Sequence, residues 1–576
     1  MAFTIEASVD PQVYVSEKEE RDPYVLENYH IPDGTTPNLE TYMYYAKIQR
    51  DKEALSAKND TEDGLWGGLF SRKSTRSQES DRRSVASANS DGKNVTPPSN
   101  EGGAALVTAD EYRAASGALR TATWGSVFYL ITTDILGPYS TPWAFQQVGY
   151  GPGVACFFVF GIMAAYGGFI LWRLFLKLDS ERYPVKSFGE LGQRIYGRWF
   201  GNLCNILQSL QLVFNVGIII LQNGQGLSQM AKFRLCFSVC NVVWTLAGMF
   251  LGQIRTLQKF GSIANLAIWL NITVLIMTMA FAANSPPNYT ASTLPIGPVI
   301  TQAINVQAFE NQLNGIMQIV FSYGGAMIFV EFMAEMRRPM DFWKAMAYSQ
   351  IFIFIVYMFF GLFVYSYQGQ YVVNPANQGI STYGLQTAGN AISLTAGIIA
   401  AALYGNIGVK IIYNNIFVAM FDFPKLTATR GKYYFALFVI VYWAIAFVIA
   451  SAIPQFSALS SLIAAVCIFQ FTYTFPPFMI MGYFLQVDAS KDDGEFDINN
   501  PYAHRVDSWK DISRWNRAFF SNTWHFFFAA WNFLLTLACL ACAILSAYSA
   551  VNTIVTAFQS SSSAAFSCHS PLDVSG

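Results

Sequence analysis

Long apolar stretches separated by short polar connections cover the chain from about residue 124 to residue 558. Eleven such segments are predicted, at 124–147, 152–176, 202–223, 236–253, 260–283, 311–335, 343–366, 388–412, 433–453, 457–485 and 523–558. At about 1.5 Å per residue, a helix over each of them can cross a bilayer core of about 30 Å. The pattern predicts an all-α polytopic membrane protein with about eleven helices; a twelfth helix within the last, long stretch is the alternative.

Positive charge alternates between the connections. Lys and Arg cluster after segments two, four, six, eight and ten, whereas the other connections hold almost none apart from Lys232 and Arg234. Because basic loops stay cytosolic, the N-terminus is predicted inside and the C-terminus outside. The sequon at Asn288 then falls in an outer loop over 281–309, which makes Asn288 a candidate glycosylation site.

The segment pattern divides the chain into three parts. Residues 1–120 are predicted to be a disordered cytosolic tail, because this stretch is polar and charged, and contains too little apolar sequence to fold. Residues 121–558 form the predicted transmembrane domain with helices one to eleven, and residues 559–576 a short non-cytosolic tail. Kinase and ubiquitin-ligase contacts are expected through the N-terminal tail.

The composition agrees with a membrane protein. Of 576 residues, 53% are hydrophobic and 13% are charged, compared with about 25% charged residues in soluble proteins. The lipid bilayer is therefore the expected environment, and no nucleic-acid partner is expected. The eight cysteines are scattered, and Cys539 and Cys542 are interpreted as small packing residues in a helix. No nucleophile–base or metal-ligand pattern predicts an enzyme, a metal site or a cofactor.

Segment six contains an interruption near its middle. Two adjacent glycines stand beside a serine and a tyrosine: Ser322, Tyr323, Gly324 and Gly325. Such a break in hydrocarbon survives only where the backbone lines a cavity or contacts a solute. A packing contact of small residues is the alternative, although these usually recur at four-residue spacing.

Segment one carries a matching interruption. It comprises Gly137, Pro138, Tyr139 and Ser140. Pro138 removes a backbone N–H, and Gly137 permits a turn. Segments one and six begin two halves of five helices, and an odd number of spans makes the halves run in opposite directions. Interrupted helices at matching positions of inverted halves predict a transporter site near the midplane.

The two breaks suggest the chemistry of the ligand. Half-helices that end and restart expose carbonyls and N–H groups, which suit the ammonium and the carboxylate of a small zwitterion. Polar residues of segments three and eight could complete such a site: Gln208, Gln211, Asn215, Gln222 and Asn406. Hydrogen bonding between neighbouring helices is the alternative role for each of these amides.

Two carboxylates lie within predicted membrane helices. Asp134 lies at the end of the first half-helix, where burial and the helix dipole favour a neutral carboxyl group, as in a proton carrier. Glu331 is the second candidate for ion coupling. Glu335, Arg337 and Arg338 are predicted to form a cytosolic gate. For Asp134 a capping role is the alternative, and for Glu331 a structural network.

At these residues the chain resembles the amino acid/auxin permease family, whose members have a LeuT-like fold. Residues 321–339 are similar to the family's sixth-helix signature, and residues 136–145 to its first-helix signature. The long tail resembles fungal members, including neutral amino acid permeases. The resemblance implies a LeuT-like 5+5 inverted repeat with broken helices one and six. Ile135, where the family usually has glycine, and Pro138 depart from the pattern and leave the substrate range and coupling ion open.

The resemblance further implies secondary active transport of amino acids. We expect a proton-coupled symporter for neutral amino acids that works by alternating access, with Tyr139 and Tyr323 as a wall or lid. An ion gradient would drive it without a cofactor. A sodium-coupled permease, a vacuolar exporter and a non-transporting amino acid receptor are the alternatives. The plasma membrane is favoured over the vacuolar membrane as its location.

Overall fold

Helices make up the regular structure of the described chain. The computed structural model describes residues 37–59, 120, 122–135, 138–253, 257–292, 294–418, 421, 423–424, 429–490, 496, 512–520, 522–559 and 564–573. Within these ranges the strand-like pairing consists of two isolated bridges, Ala122 with Met336 and Pro287 with Ile380. The predicted all-α class is confirmed.

The α-helices of the described ranges are numbered in chain order. They are α1 Leu39–Asn59, α2 Trp124–Ile135, α3 Thr141–Val148, α4 Tyr150–Leu178, α5 Phe188–Tyr196, α6 Arg198–Met230, α7 Phe237–Leu251, α8 Leu257–Asn284, α9 Phe309–Ser322, α10 Phe329–Glu335, α11 Phe342–Gln368, α12 Tyr383–Ile411, α13 Thr429–Ala452, α14 Phe456–Ile463, α15 Phe475–Ser490, α16 Ile512–Phe520 and α17 Thr523–Gln559.

These helices account for the predicted segments. Among the described residues, 8 helices are long and apolar enough to cross a membrane, or 9 when the bent pair α9 and α10 counts as one span. The apolar α7 is shorter, with 15 residues, and α2 with α3 covers segment one. A polytopic membrane protein is therefore confirmed, while the inverted 5+5 repeat stays a prediction.

Segment six is broken where the sequence predicts it. α9 ends at Ser322, and a 3₁₀ turn spans Gly324–Ile328. The helical segment Gly324–Glu335, which includes α10, is bent by 42° relative to α9. Segment one changes from α2 to a 3₁₀ turn over Pro138–Ser140 and then to α3. Segment ten is also irregular, with π-helical turns between α14 and α15. Such turns are frequent at functional sites.

Helix α6 is the centre of the bundle. Its 33 residues span about 50 Å, and it packs against α5, α7, α12 and α13. Asp179, which follows α4, and Arg194 of α5 lie near its beginning, and Cys236 follows its end. The two ends of α6 therefore mark opposite faces of the protein.

The N-terminal tail contains a folded helix. Leu39, Tyr42 and Ala46 of α1 are buried, and α1 packs against α4. The prediction that residues 1–120 are disordered is wrong for residues 39–59. Its residues alternate between charged and aromatic or aliphatic types, so α1 has no apolar face that sequence inspection would detect, and the packing surface of α4 stabilises it instead.

A disulfide joins Cys236 and Cys568, which are 332 residues apart in sequence. Backbone hydrogen bonds also connect the residues near Cys568 to the start of α7 and the end of α13. Phe237 N donates to Cys568 O at 3.0 Å, and Phe566 N donates to Ser451 O at 2.9 Å. The predicted topology places both cysteines outside, where thiols oxidise. The scattered cysteine spacing gave no sign of this pair.

We expect Cys568→Ser to expose the thiol of Cys236 on the non-cytosolic side. A membrane-impermeant maleimide added outside intact cells should label Cys568→Ser but not the parent protein without reductant. The midpoint of thermal unfolding should fall by about 2–5 °C. Replacement of the unpaired Cys542 by serine is the control and should leave this midpoint unchanged. Labelling from the cytosolic side alone would overturn the topology, and equal labelling of both proteins would show that the disulfide does not form.

Candidate functional site

A cavity of about 140 Å3 lies between the two broken segments and helices α6, α8 and α12. By the same measure one water needs about 10–15 Å3, so a small organic solute fits. Its lining residues are mostly apolar or uncharged polar ones: Tyr139, Ser140, Asn215, Ile218, Ile219, Gln222, Asn223, Asn271, Phe321, Ser322, Gly324, Ser393, Ala396, Gly397, Ala400, Tyr404, Phe456 and Ile468.

Buried amide groups of α6 lack partners at this cavity. Asn215 Oδ1 and Asn223 Nδ2 have no hydrogen-bond partner among the described residues. A buried polar atom without a partner is rare, so each such atom calls for an explanation such as a bound solute or water. Tyr139 OH donates to Asn271 Oδ1 at 3.1 Å, which fixes the ring against the cavity wall. One acceptor and one donor thus remain available to a ligand.

The structure brings together half of the predicted substrate residues. Tyr139, Ser140, Asn215, Ser322 and Gly324 line the cavity. Gly137 lies outside the described residues, and of Pro138 only the backbone is described. Gly325 and the fully buried Asn406 are not among the lining residues.

Tyr323 points away from the cavity and does not act as a lid. Its side chain is 1% exposed, and its OH donates to Phe157 O on α4 at 3.1 Å. The change from α9 to the 3₁₀ turn rotates neighbouring residues differently from a continuous helix. Ser322 and Gly324 therefore face the cavity, while Tyr323 packs against the scaffold.

Gln208 of α6 holds the broken segment in place. Its Nε2 donates to Met327 O in the 3₁₀ turn at 2.8 Å and to Glu331 Oε1 at 2.7 Å. The first bond gives the Met327 carbonyl a side-chain donor within the irregular stretch. Gln208 therefore connects the break to a carboxyl group one turn further along.

Glu331 is a buried carboxyl group with hydrogen bonds, within the described chain, to only one of its two oxygens. Its Oε1 accepts from Gln208 and, at 3.3 Å, from Phe188 N at the start of α5. Its Oε2 is buried and has no hydrogen-bond partner among the described residues. A carboxyl group in such a place is costly as an unpaired anion. The side chain of Asp134 lies outside the described residues.

The predicted gate residues lie where the two broken segments meet. Ala122 N donates to Glu335 O at 3.0 Å, and Arg337 N donates to Ala122 O at 2.9 Å. The side chain of Glu335 interacts electrostatically with Lys410 at the end of α12. A backbone bridge thus joins the stretch before α2 to the end of α10, beside Arg337 and Arg338.

Asn288 does not present its side chain to solvent. It is 8% exposed, and its Nδ2 donates to Ile380 O at 3.5 Å. A glycan requires an accessible amide, so the folded structure disfavours the predicted glycosylation at this residue.

Residues 120–493 match the family model described as transmembrane amino acid transporter protein. This region covers more than half of the chain and includes both breaks and the cavity. The chain belongs to the transmembrane amino acid transporter family. Membership identifies it as a transport protein of the multi-pass membrane class rather than an enzyme, and confirms the resemblance to amino acid/auxin permeases.

Curated relatives agree with this assignment. The chain is 24% identical over 373 residues to the N amino acid transport system protein of Neurospora crassa, covering 62% of this chain and 74% of the relative. It is 22% identical to a transmembrane transporter of Fusarium pseudograminearum, covering 63% and 76%. Lysine histidine transporter-like 1 of Arabidopsis thaliana is 22% identical, covering 45% and 59%.

Several cavity residues of the transporter were not predicted from its sequence. Asn223 and Asn271 are the most informative, because each places an amide in an apolar helix, which is a signal of an interior position. Ser393 and Gly397 of α12 also line the cavity. An ideal Cβ at Gly397 would lie 2.6 Å from Asn223 Oδ1, so the glycine leaves room for that amide.

Proposed function

We propose that this transporter carries neutral amino acids in symport with protons, by alternating access around the cavity between the two breaks. The observation that carries the proposal is the combination of broken backbone and unpaired amide atoms at one cavity. The backbone at the breaks offers groups for the ammonium and carboxylate of a zwitterion. Asn215 and Asn223 supply an acceptor and a donor for the same ligand.

The lining supports a substrate with an uncharged side chain. Among the described lining residues, none is Asp, Glu, Lys or Arg. A charged substrate side chain would lose its hydration without gaining an opposite charge, which costs several kcal/mol in a buried site. Ile218, Ile219 and Ile468 instead offer apolar contacts for an aliphatic or aromatic side chain.

Proton coupling is supported by Glu331. The Gln208 amide contacts both this carboxyl group and the broken turn beside the cavity. A change of charge at Glu331 would therefore act on the backbone that contacts the substrate. Asp134, the first candidate from the sequence, is the alternative for the same role. The plasma membrane is the proposed location.

Uptake by purified protein in proteoliposomes tests the proposal. We expect neutral amino acids to accumulate when the outside is more acidic, with or without sodium, and lysine or glutamate to be taken up at least tenfold more slowly. Asn223→Leu should weaken apparent affinity by at least about tenfold, since it removes a ligand donor, whereas Asn284→Leu at the exposed end of α8 is the matched control. Uptake that requires sodium would refute proton coupling. No uptake of any amino acid would refute the transport function itself.

A further inference from the structure

Helix α1 of the tail is docked on α4, α5 and the loop between them. Arg194 lies over the ring of Tyr42 at 4.4 Å, and Arg182 lies over the ring of Tyr45 at 4.7 Å. Arg182 Nη1 also donates to Tyr45 OH at 2.7 Å. These aromatic–cation contacts and the buried Ala46 show that α1 is packed against the transporter domain.

Asp179 at the end of α4 holds two arginines. Its side chain is 0% exposed. Arg50 of α1 donates to Oδ2 at 3.1 Å. Arg120 donates to Oδ1 at 2.8 Å and to Oδ2 at 3.1 Å, and Val185 N donates to Oδ1 at 3.0 Å. A buried carboxylate is costly without its partners. Asp179 therefore keeps both arginines close to it, and through Asp179 the position of each arginine depends on that of the other.

Arg120 immediately precedes the backbone bridge between the broken segments. Two residues later, Ala122 forms its two hydrogen bonds with Glu335 and Arg337. Asp179 therefore connects α1 on one side with the junction of segments one and six on the other. Movement of this junction changes the position of Arg120 relative to Asp179, and with it the site that holds Arg50.

We propose that α1 is an inhibitory latch that keeps the junction of segments one and six closed on its side of the membrane. This inference rests on the proposed transport function. Alternating access requires the junction to open, which separates Ala122 from the end of α10. With α1 docked, that opening must also disturb the Arg50–Asp179–Arg120 cluster, so the closed state is favoured. Release of α1 lowers the free energy needed to go from the closed to the open state of the junction, and so speeds turnover.

Two variants release α1 by different means. Arg50→Glu replaces the cation that pairs with Asp179 and Glu53 by a further carboxylate, and removal of residues 1–59 deletes the helix. We expect each to raise the initial uptake rate in proteoliposomes at saturating substrate by at least threefold. Lys47→Gln removes a positive charge from the exposed face of α1 and should leave the rate unchanged. Hydrogen–deuterium exchange should show protected α1 amides in the parent protein and loss of that protection in Arg50→Glu.

The outcomes separate this inference from the transport function. If the parent protein transports and both variants are equal to it or slower, the latch is refuted and α1 is only structural. If α1 amides of the parent protein exchange freely, the docking itself is refuted. If no protein transports, including the deletion, the proposed function fails instead. Faster uptake by both variants, with unchanged uptake by Lys47→Gln, supports the latch.

Discussion

Gly324→Val is expected to reduce uptake by at least about 100-fold, while the protein reaches its membrane in normal amount. An ideal Cβ at residue 324 would lie 2.9 Å from Ile468 Cδ1, and 3.3 Å from its Cγ2. A valine adds two further methyl groups at the wall of the cavity. The valine should therefore reduce the space for the substrate and disturb the packing of the break against segment ten.

A graded series shows whether space is the cause. Gly324→Ala should retain partial uptake, because the end of the Ile468 side chain can move by a few tenths of an ångström. Gly324→Val combined with Ile468→Ala should recover part of the activity. Gly384→Val is the matched control, since a Cβ there meets nothing within 4 Å. Normal uptake by Gly324→Val would show that this wall does not contact the substrate.

The reason for the sensitivity of Gly324 differs from what the sequence suggests. Tandem glycines indicate unusual backbone angles, yet positive φ among the described glycines occurs at Gly149, Gly197 and Gly369. The 3₁₀ turn at the break contains no glycine with positive φ, so backbone strain gives no reason to expect a loss of uptake in Gly325→Val. The reason to expect a requirement for glycine at residue 324 is the approach of Ile468.

Hydropathy and breaks could be predicted because both depend on local sequence. The apolar length of each segment, the proline at residue 138 and the paired glycines are visible without tertiary contacts, and they located Tyr139, Ser140, Ser322 and Gly324 at the cavity. The direction of Tyr323 could not be predicted, since it depends on how the turn rotates the chain. Gln208 was detected as a polar residue, but its two acceptors depend on how α6 packs against the break.

Contacts between distant parts of the chain were beyond sequence reasoning. The pairing of Cys236 with Cys568 depends on the docking of residues 566–568 against the start of α7 and the end of α13, and a list of scattered cysteines contains no such information. Likewise, α1 has a mixed composition and gains its stability from Asp179 and the tyrosine–arginine contacts of another region. Burial of Asn288 is a third case, because its sequon is local whereas its partner Ile380 is not.

Glu331→Gln is expected to abolish accumulation driven by a proton gradient while exchange of substrate across the membrane continues. Glutamine keeps the size of the side chain and an oxygen that can accept from Gln208, so the broken segment should remain in place. It cannot titrate, however. A symporter concentrates its substrate only if binding of the proton and of the substrate favour each other, and a group that cannot bind a proton contributes no such coupling.

The measurement compares accumulation ratio and exchange in the same proteoliposomes at two external pH values. Glu310→Gln in the first turn of α9 is the control, since Asn552 Nδ2 donates to Glu310 Oε1 at 2.7 Å and a glutamine oxygen can accept that bond too.

Asp134→Asn is measured in parallel. If Glu331→Gln still accumulates substrate and Asp134→Asn does not, the proton site lies at the break of segment one and Glu331 is structural. If both variants accumulate substrate normally, neither carboxyl group carries the proton and coupling to another ion becomes the better explanation. If Glu331→Gln alone retains exchange without accumulation, the Gln208 amide is the physical connection between the proton and the substrate. The reason is that it contacts the carboxyl group that titrates and the backbone carbonyl of the break beside the cavity.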